Sequence, residues 1–213
     1  MGAAEFAFLL RGLEWTLALS GLGFFSGAIA GLAIALARSS DLAILRRIAG
    51  GYIAVFQGTP LLMQLFVVYY GLALVGLKLE AWEAVSVGFT LHVSAYLGDI
   101  WRGSIEAVPR GQTEAAKALS IGYVSRMKDV VLPQAFRISL PATIGFLVQL
   151  VKGTSLAAIV GFTELARAGS IISNQTFKPL LVYAVVGGLY FVLCWPLSLC
   201  GSWLGSRFAR AGR

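Results

Sequence analysis

Residues 108–133 read VPRGQTEAAKALSIGYVSRMKDVVLP, a charged island set between two apolar runs. Residues 84–98 before it and 138–151 after it carry no Asp, Glu, Lys or Arg. An alternation of uncharged runs and basic islands is the pattern of a helical chain that crosses a membrane repeatedly. The whole chain agrees. It has 213 residues, 58% hydrophobic and only 13% charged, with mean hydropathy +0.80. Soluble domains carry about 25% charged residues, so an ordinary soluble enzyme is excluded, as are a disordered segment and a collagen-like repeat. The net charge of +7 does not indicate nucleic acid, because the basic residues are interleaved with apolar runs instead of gathered in one groove. Cys194 and Cys200 lie in one apolar run and read as small apolar fillers.

Working outward from the island, the uncharged runs are 15–37, 50–77, 84–98, 138–151 and 179–204. This predicts an all-α membrane protein of about five transmembrane helices in a single domain, 1–213. Ala28-Ile29-Ala30 resembles a signal-peptide cleavage site. The segment before it carries Glu5, Arg11 and Glu14, which is not a basic leader, and the apolar run continues past it. Excess Lys and Arg mark the cytoplasmic side. Arg38, Arg46 and Arg47, the 102–137 segment, and Arg207, Arg210 and Arg213 all fall on one side if the N-terminus lies outside and the C-terminus in the cytoplasm. Arg11, Lys78, Arg167 and Lys178 fall on the other. The stretch 153–177, apolar but carrying Glu164 and Arg167, is open to three readings: a sixth span, a re-entrant piece or an outer gate helix.

Within the island, Glu114-Ala115-Ala116-Lys117-Ala118-Leu119 has high helix propensity. Thr113 suits the N-cap, with Glu114 in the first turn. Ala115, Ala118 and Leu119 make a narrow apolar stripe, fit either for a groove in a soluble partner or for the lipid surface. Two helix breaks are expected within spans. At Gly58-Thr59-Pro60, Thr59 suits an N-cap and Pro60 the first helical position. At Gly153, the helix is interrupted and Thr154 or Ser155 caps a new one. A helix N-terminus at membrane depth offers free N–H groups to a substrate carboxylate; a plain packing kink is the other reading.

Among intramembrane polar groups, Asp99 and Arg102 are three apart on one helix face and read as a local ion pair. His92, alone in its span, reads as a hydrogen-bonded packing residue. Lys152, beside the second break, is either functional or reaches to the interface. No nucleophile–base pair, paired carboxylates or metal-ligand spacing is present. No catalytic residue, metal or cofactor is expected in this chain.

Several motifs together resemble the polar amino acid permease family of ABC importers. They are Arg38-Ser39-Ser40, Gly58-Thr59-Pro60-Leu61-Leu62, Gly111-Gln112 before Glu114-Ala115-Ala116, Leu132-Pro133-Gln134-Ala135, Leu140-Pro141, and Lys152-Gly153-Thr154-Ser155-Leu156. They run in order through about four-fifths of the chain. The resemblance implies a type I importer permease fold in a bacterial cytoplasmic (inner) membrane. It implies that the EAA segment is a coupling helix seated in a separate ATPase. Glu114, Ala115, Ala116, Leu119, Ser120 and Gly122 would then carry the coupling. The chain has no G-x-x-x-x-G-K-[ST] motif, so ATP and Mg would be bound on that ATPase. The implied partners are a second permease subunit, identical or paralogous, two ATPase subunits and an extracytoplasmic amino acid binding protein. Gln64, Tyr96, Lys152, Thr154 and Ser155 are the candidates for the substrate path. The family commonly has Gly where Ser120 stands, Asn at Gly145 and Asp at Gly153. The last two absences imply that a partner permease holds the substrate's ammonium group.

Overall fold

The computed structural model describes residues 2–211, all of whose regular structure is helical. Eight helices follow in order: α1 (Ala3–Arg38), α2 (Ala43–Gly58), α3 (Leu61–Leu74), α4 (Ala81–Glu106), α5 (Arg110–Ala118), α6 (Tyr123–Val160), α7 (Leu165–Thr176) and α8 (Pro179–Ala211). Among the described residues, α1, α6 and the Pro179–Phe208 part of α8 are long and apolar enough to cross a membrane. The pair α2 and α3 passes the same test as one span bent by 104°. With 26 residues, α4 is also long enough, about 39 Å at helical rise. It is less apolar because it carries Glu83, His92, Asp99 and Arg102.

The bundle is organised by a stripe of small residues on α1. Thr16, Ser20, Gly23, Gly27, Gly31 and Ala35, three or four apart, are all buried. A Cβ on Gly23 would lie 2.8 Å from Cβ of Phe89, and one on Gly27 only 2.5 Å from Cβ of Val93. At Gly31 it would meet Ser94 O at 3.1 Å. Without side chains there, the two helices approach closely, which is how helices associate where lipid removes the hydrophobic drive. The paired numbers rise together, so α1 and α4 run parallel, and α2–α3 makes the return crossing. On α8, Gly201 faces Ile144 and Gly205 faces Pro141, so α8 runs antiparallel to α6. One end of the bundle therefore holds the end of α1, α5 and the start of α6, with α8 returning towards it. The other holds the start of α1 and α7. The main core lies between, built from Leu19, Leu65, Phe89, Val93, Leu97 and Phe146 among others.

Several sequence expectations are corrected. The first helix starts at Ala3, not at the edge of the uncharged run, because Glu5 lies in its first turn and accepts from the Gly2 N–H at 2.6 Å. The 50–77 run is two helices. Pro60 occupies the N-cap position of α3 instead of its first turn, and Thr59 is the C-cap of α2. The Thr59 hydroxyl donates back to Val55 O at 2.8 Å. The island helix begins at Arg110 after Pro109, so Thr113 is inside it and does not cap it. Proline has no N–H to lose and fits the extended conformation before a first turn. At Gly153 the helix does not break: Gly153 and Thr154 keep right-handed helical angles, and residues Thr154–Val160 only tighten into 3-10 geometry. The chain reverses later, at Gly161, with φ +88. The 153–177 stretch is therefore the end of α6, a turn, and the 12-residue α7, too short at about 18 Å to cross a ~30 Å core. Arg213 lies outside the described residues.

Candidate functional site

The island forms a short helix on a firm base. Pro109 stops α4, and α5 packs against the π-helical start of α6, Arg126–Val131. Beneath it, Val108, Val131 and Ala135 make a small core with Ile105 and Met127. Gln134 Nε2 reaches across to Gln112 Oε1 at 3.4 Å. Ala116 is 4% exposed and anchors α5 inward, whereas Glu114, Ala115, Ala118 and Leu119 all face out. Leu119 and Val124 are each 75% exposed, apolar side chains that the described residues leave uncovered. The helix ends in a Schellman turn: Ile121 N–H donates to Ala116 O at 3.0 Å and Ser120 N–H to Lys117 O at 2.9 Å. Ser120 takes the left-handed position, φ +57, where glycine is the unstrained residue. Gly122 stands exposed at the N-cap of α6's first turn.

In the bundle, Gln64 is buried at the α2–α3 bend. Its Nε2 donates to Phe56 O at 2.8 Å and to Thr59 O and Oγ1 at 3.0 Å, while Oε1 lies 2.9 Å from His92 Nδ1. Carbonyls orphaned by the break are satisfied by this one side chain. His92 is then a packing residue tied to Gln64 and tilted against Tyr96, with ring centroids 4.5 Å apart; Tyr96 stacks on Phe146 at 5.2 Å. Gly58 has open space where a Cβ would stand. Asp99 and Arg102 do pair, at 2.9 Å, and Arg102 also meets Glu106 at 2.6 Å.

Thr154 is fully buried and its hydroxyl donates to Val151 O at 2.7 Å; Ser155 donates to Lys152 O at 2.8 Å. Both bonds close locally within the helix, and neither hydroxyl caps a free N-terminus. Lys152 is different. It is exposed, and its ammonium has no hydrogen bond or ion pair among the described residues. It lines a groove of about 520 Å³ between α6 and α8, with Gly145, Gln149, Ser198 and Ser202. Gly145 and Gln149 share its helix face by spacing. The structure thus separates the path candidates: Gln64 and Tyr96 meet at His92, while Lys152 stands on another face.

The motif reading did not single out one polar residue that ties three helices together. Glu164 is fully buried and caps the N-terminus of α7, accepting from Ala166 N and Arg167 N at 2.9 Å. Its Oε2 also accepts from Tyr190 Oη at 2.8 Å and from Thr16 Oγ1 at 3.4 Å. One carboxyl group so joins α1, α7 and α8. The signal was present, since an acid in an apolar stretch demands partners. Those partners lie far away in sequence.

With this geometry in place, comparison with known proteins is informative. The family model described as "Binding-protein-dependent transport system inner membrane component" matches residues 8–211. A probable amino-acid ABC transporter permease protein of Bacillus subtilis (strain 168) is 37% identical over 190 residues, 89% of this chain and 84% of that protein. An L-cystine transport system permease protein of the same organism is 36% identical, over 90% of this chain and 82% of its own. In the crystal structure of an amino acid ABC transporter with histidines, one chain superposes with TM-score 0.88 at 33% identity, covering 94% of both chains.

Proposed function

Because this chain belongs to the family of binding-protein-dependent transport system inner membrane components, with the type I importer permease fold, we propose that it is the pore-forming subunit of an ATP-driven importer for polar amino acids. It works in a bacterial inner membrane, N-terminus outside, beside a second permease subunit. Two separate ATPase subunits bind ATP and Mg on the cytoplasmic side, and an extracytoplasmic binding protein delivers the amino acid. The chain does no bond chemistry. It provides alternating access.

The observation that carries this reading is the outward face of α5. Glu114, Ala115, Ala118 and Leu119 stand exposed on a helix that Ala116 and the Val108–Val131–Ala135 core hold rigidly against α6. A small-residue face can enter a cleft of the ATPase. When ATP closes the ATPase pair, the push passes from α5 through the π-helical turn into α6, which borders the core at Phe146 and the groove at Lys152. Ser120 and Gly122 shape the exit from that helix. Gly145 and Gly153 offer no side chain to an ammonium group, so the second permease subunit holds that end of the substrate.

The test is ATP hydrolysis in liposomes containing this chain, the second permease and the ATPase, wild type against Ala115→Asp and Glu114→Arg. Both put a wrong charge on the exposed face without touching the core. Lost assembly or lost stimulated hydrolysis, with normal membrane insertion, is expected. Unchanged assembly and turnover would remove α5 from the role.

A further inference from the structure

The turn between α1 and α2 gathers three guanidinium groups. Arg38, Arg46 and Arg47, with Ala43 and Gly50, line an open pocket of about 270 Å³. The Arg38 side chain lies against α2, so close that a Cβ on Gly50 would come within 3.3 Å of its Nε. Arg46 is held by one bond, Nη1 to Ser40 O at 2.8 Å. None of the three forms an ion pair among the described residues, although Asp41 stands in the same turn. The turn also holds Ser39 Oγ, buried without a hydrogen-bond partner, and Leu42 at the N-cap of α2 gives no side-chain cap to its first N–H groups.

The pocket's lining on α2 is Ala43, Arg46, Arg47 and Gly50, three or four apart and so on one face of the helix. Planar guanidinium groups match phosphate oxygens, and a lipid headgroup carries such a phosphate. The position fits, because the pocket lies at the end of a 36-residue span, where lipid headgroups are found. We propose that this pocket binds the phosphate of an anionic phospholipid headgroup. The proposal rests on the chain spanning a membrane and not on its coupling to an ATPase.

The experiment is lipid retention by the purified full-length chain in micelles, read by native mass spectrometry. The probes are phosphatidylglycerol, phosphatidylcholine with the same acyl chains, and inorganic phosphate. The wild type should hold phosphatidylglycerol about tenfold better than phosphatidylcholine, a preference that three nearby cations readily supply and that high salt weakens. The triple variant Arg38→Gln/Arg46→Gln/Arg47→Gln should lose it. The variant Lys128→Gln/Arg137→Gln/Arg207→Gln, which removes as many charges elsewhere, should keep it. Equal losses in both triples would mean diffuse attraction and overturn the pocket. Inorganic phosphate binding as tightly as the lipid would make this a soluble-anion site and overturn the lipid. Should the first triple not fold, Arg47→Gln alone, whose side chain makes no hydrogen bond among the described residues, should lower the preference two- to fivefold; no change would overturn the proposal equally.

Discussion

Two Gly-Thr pairs, Gly58-Thr59 and Gly153-Thr154, stand in similar apolar company and behave oppositely. The first ends a helix and turns the chain by 104°. The second is passed without a turn. Pro60 and Gln64 together make the difference. Pro60 pushes Thr59 into the extended region, φ −117 and ψ 140, as it does any preceding residue. Ser155 has an N–H and imposes nothing, so α6 runs on to Gly161. A true break then needs a polar side chain, because no water reaches the freed backbone groups. Gln64 serves the carbonyls left at the end of α2. After Gly161, Glu164 serves the N–H groups at the start of α7.

Removing the two polar side chains should therefore be far worse than altering the backbone residues at either pair. The largest effect is expected for Glu164→Leu, of similar bulk. It leaves Ala166 N–H, Arg167 N–H and the Tyr190 hydroxyl without their acceptor. The loss should be about 3–5 kcal/mol in denaturant unfolding of the micelle-bound protein. Glu164→Gln keeps one acceptor oxygen and should cost less than half as much. Equal stability of Glu164→Leu and wild type would show that α7 is held by packing alone. Next comes Gln64→Leu, which frees Phe56 O, Thr59 O and His92 Nδ1. About 2–3 kcal/mol is expected by the same measurement, and the His92 ring should lose its fixed orientation in NMR spectra.

The sequence made one of these breaks legible and obscured the other. Pro60 announces its own break because its effect is local and steric. The apolar runs likewise revealed α1, the α2–α3 pair, α4, α6 and α8 in outline, since hydropathy reports spans whatever their packing. Asp99 and Arg102, three apart, could be paired from spacing alone. Gly153 misled because glycine lowers helix propensity without forbidding the helix, and here α6 continues under tertiary packing. The Glu164 knot was hidden for another reason: Thr16 and Tyr190, its side-chain partners, come from opposite ends of the chain, and no local pattern joins them. The glycine stripe of α1 belongs to the same class. Its spacing is visible, but its meaning depends on Phe89 and Val93. At the outer face of α5 the exposed residues follow from spacing, whereas the inward turn of Ala116 needed α6 in place.

Smaller effects separate the two Gly-Thr pairs themselves. Pro60→Ala should cost about 0.5–1 kcal/mol, chiefly by loosening the unfolded chain, and should leave the bend in place because Gln64 still holds both sides. Spin labels placed on α2 and α3 would measure that: an unchanged distance is expected, and a lengthened one would mean that proline alone maintains the bend.

The smallest effect, and the one with the opposite sign, is expected at Gly153→Ala. Alanine gains up to about 1 kcal/mol over glycine in a helix interior. The new Cβ would meet Leu61 Cδ2 at 3.3 Å, the far end of a flexible side chain, which can yield at modest cost. The net change in unfolding free energy should be a gain of a few tenths of a kcal/mol. A loss beyond 1 kcal/mol would mean that residue 153 leaves the helix in the stable state of the protein. Unchanged stability with abolished transport would mean something narrower: that α6 bends at Gly153 only during the cycle, and that the resemblance between the two pairs is one of timing, the first bent always and the second bent in turn.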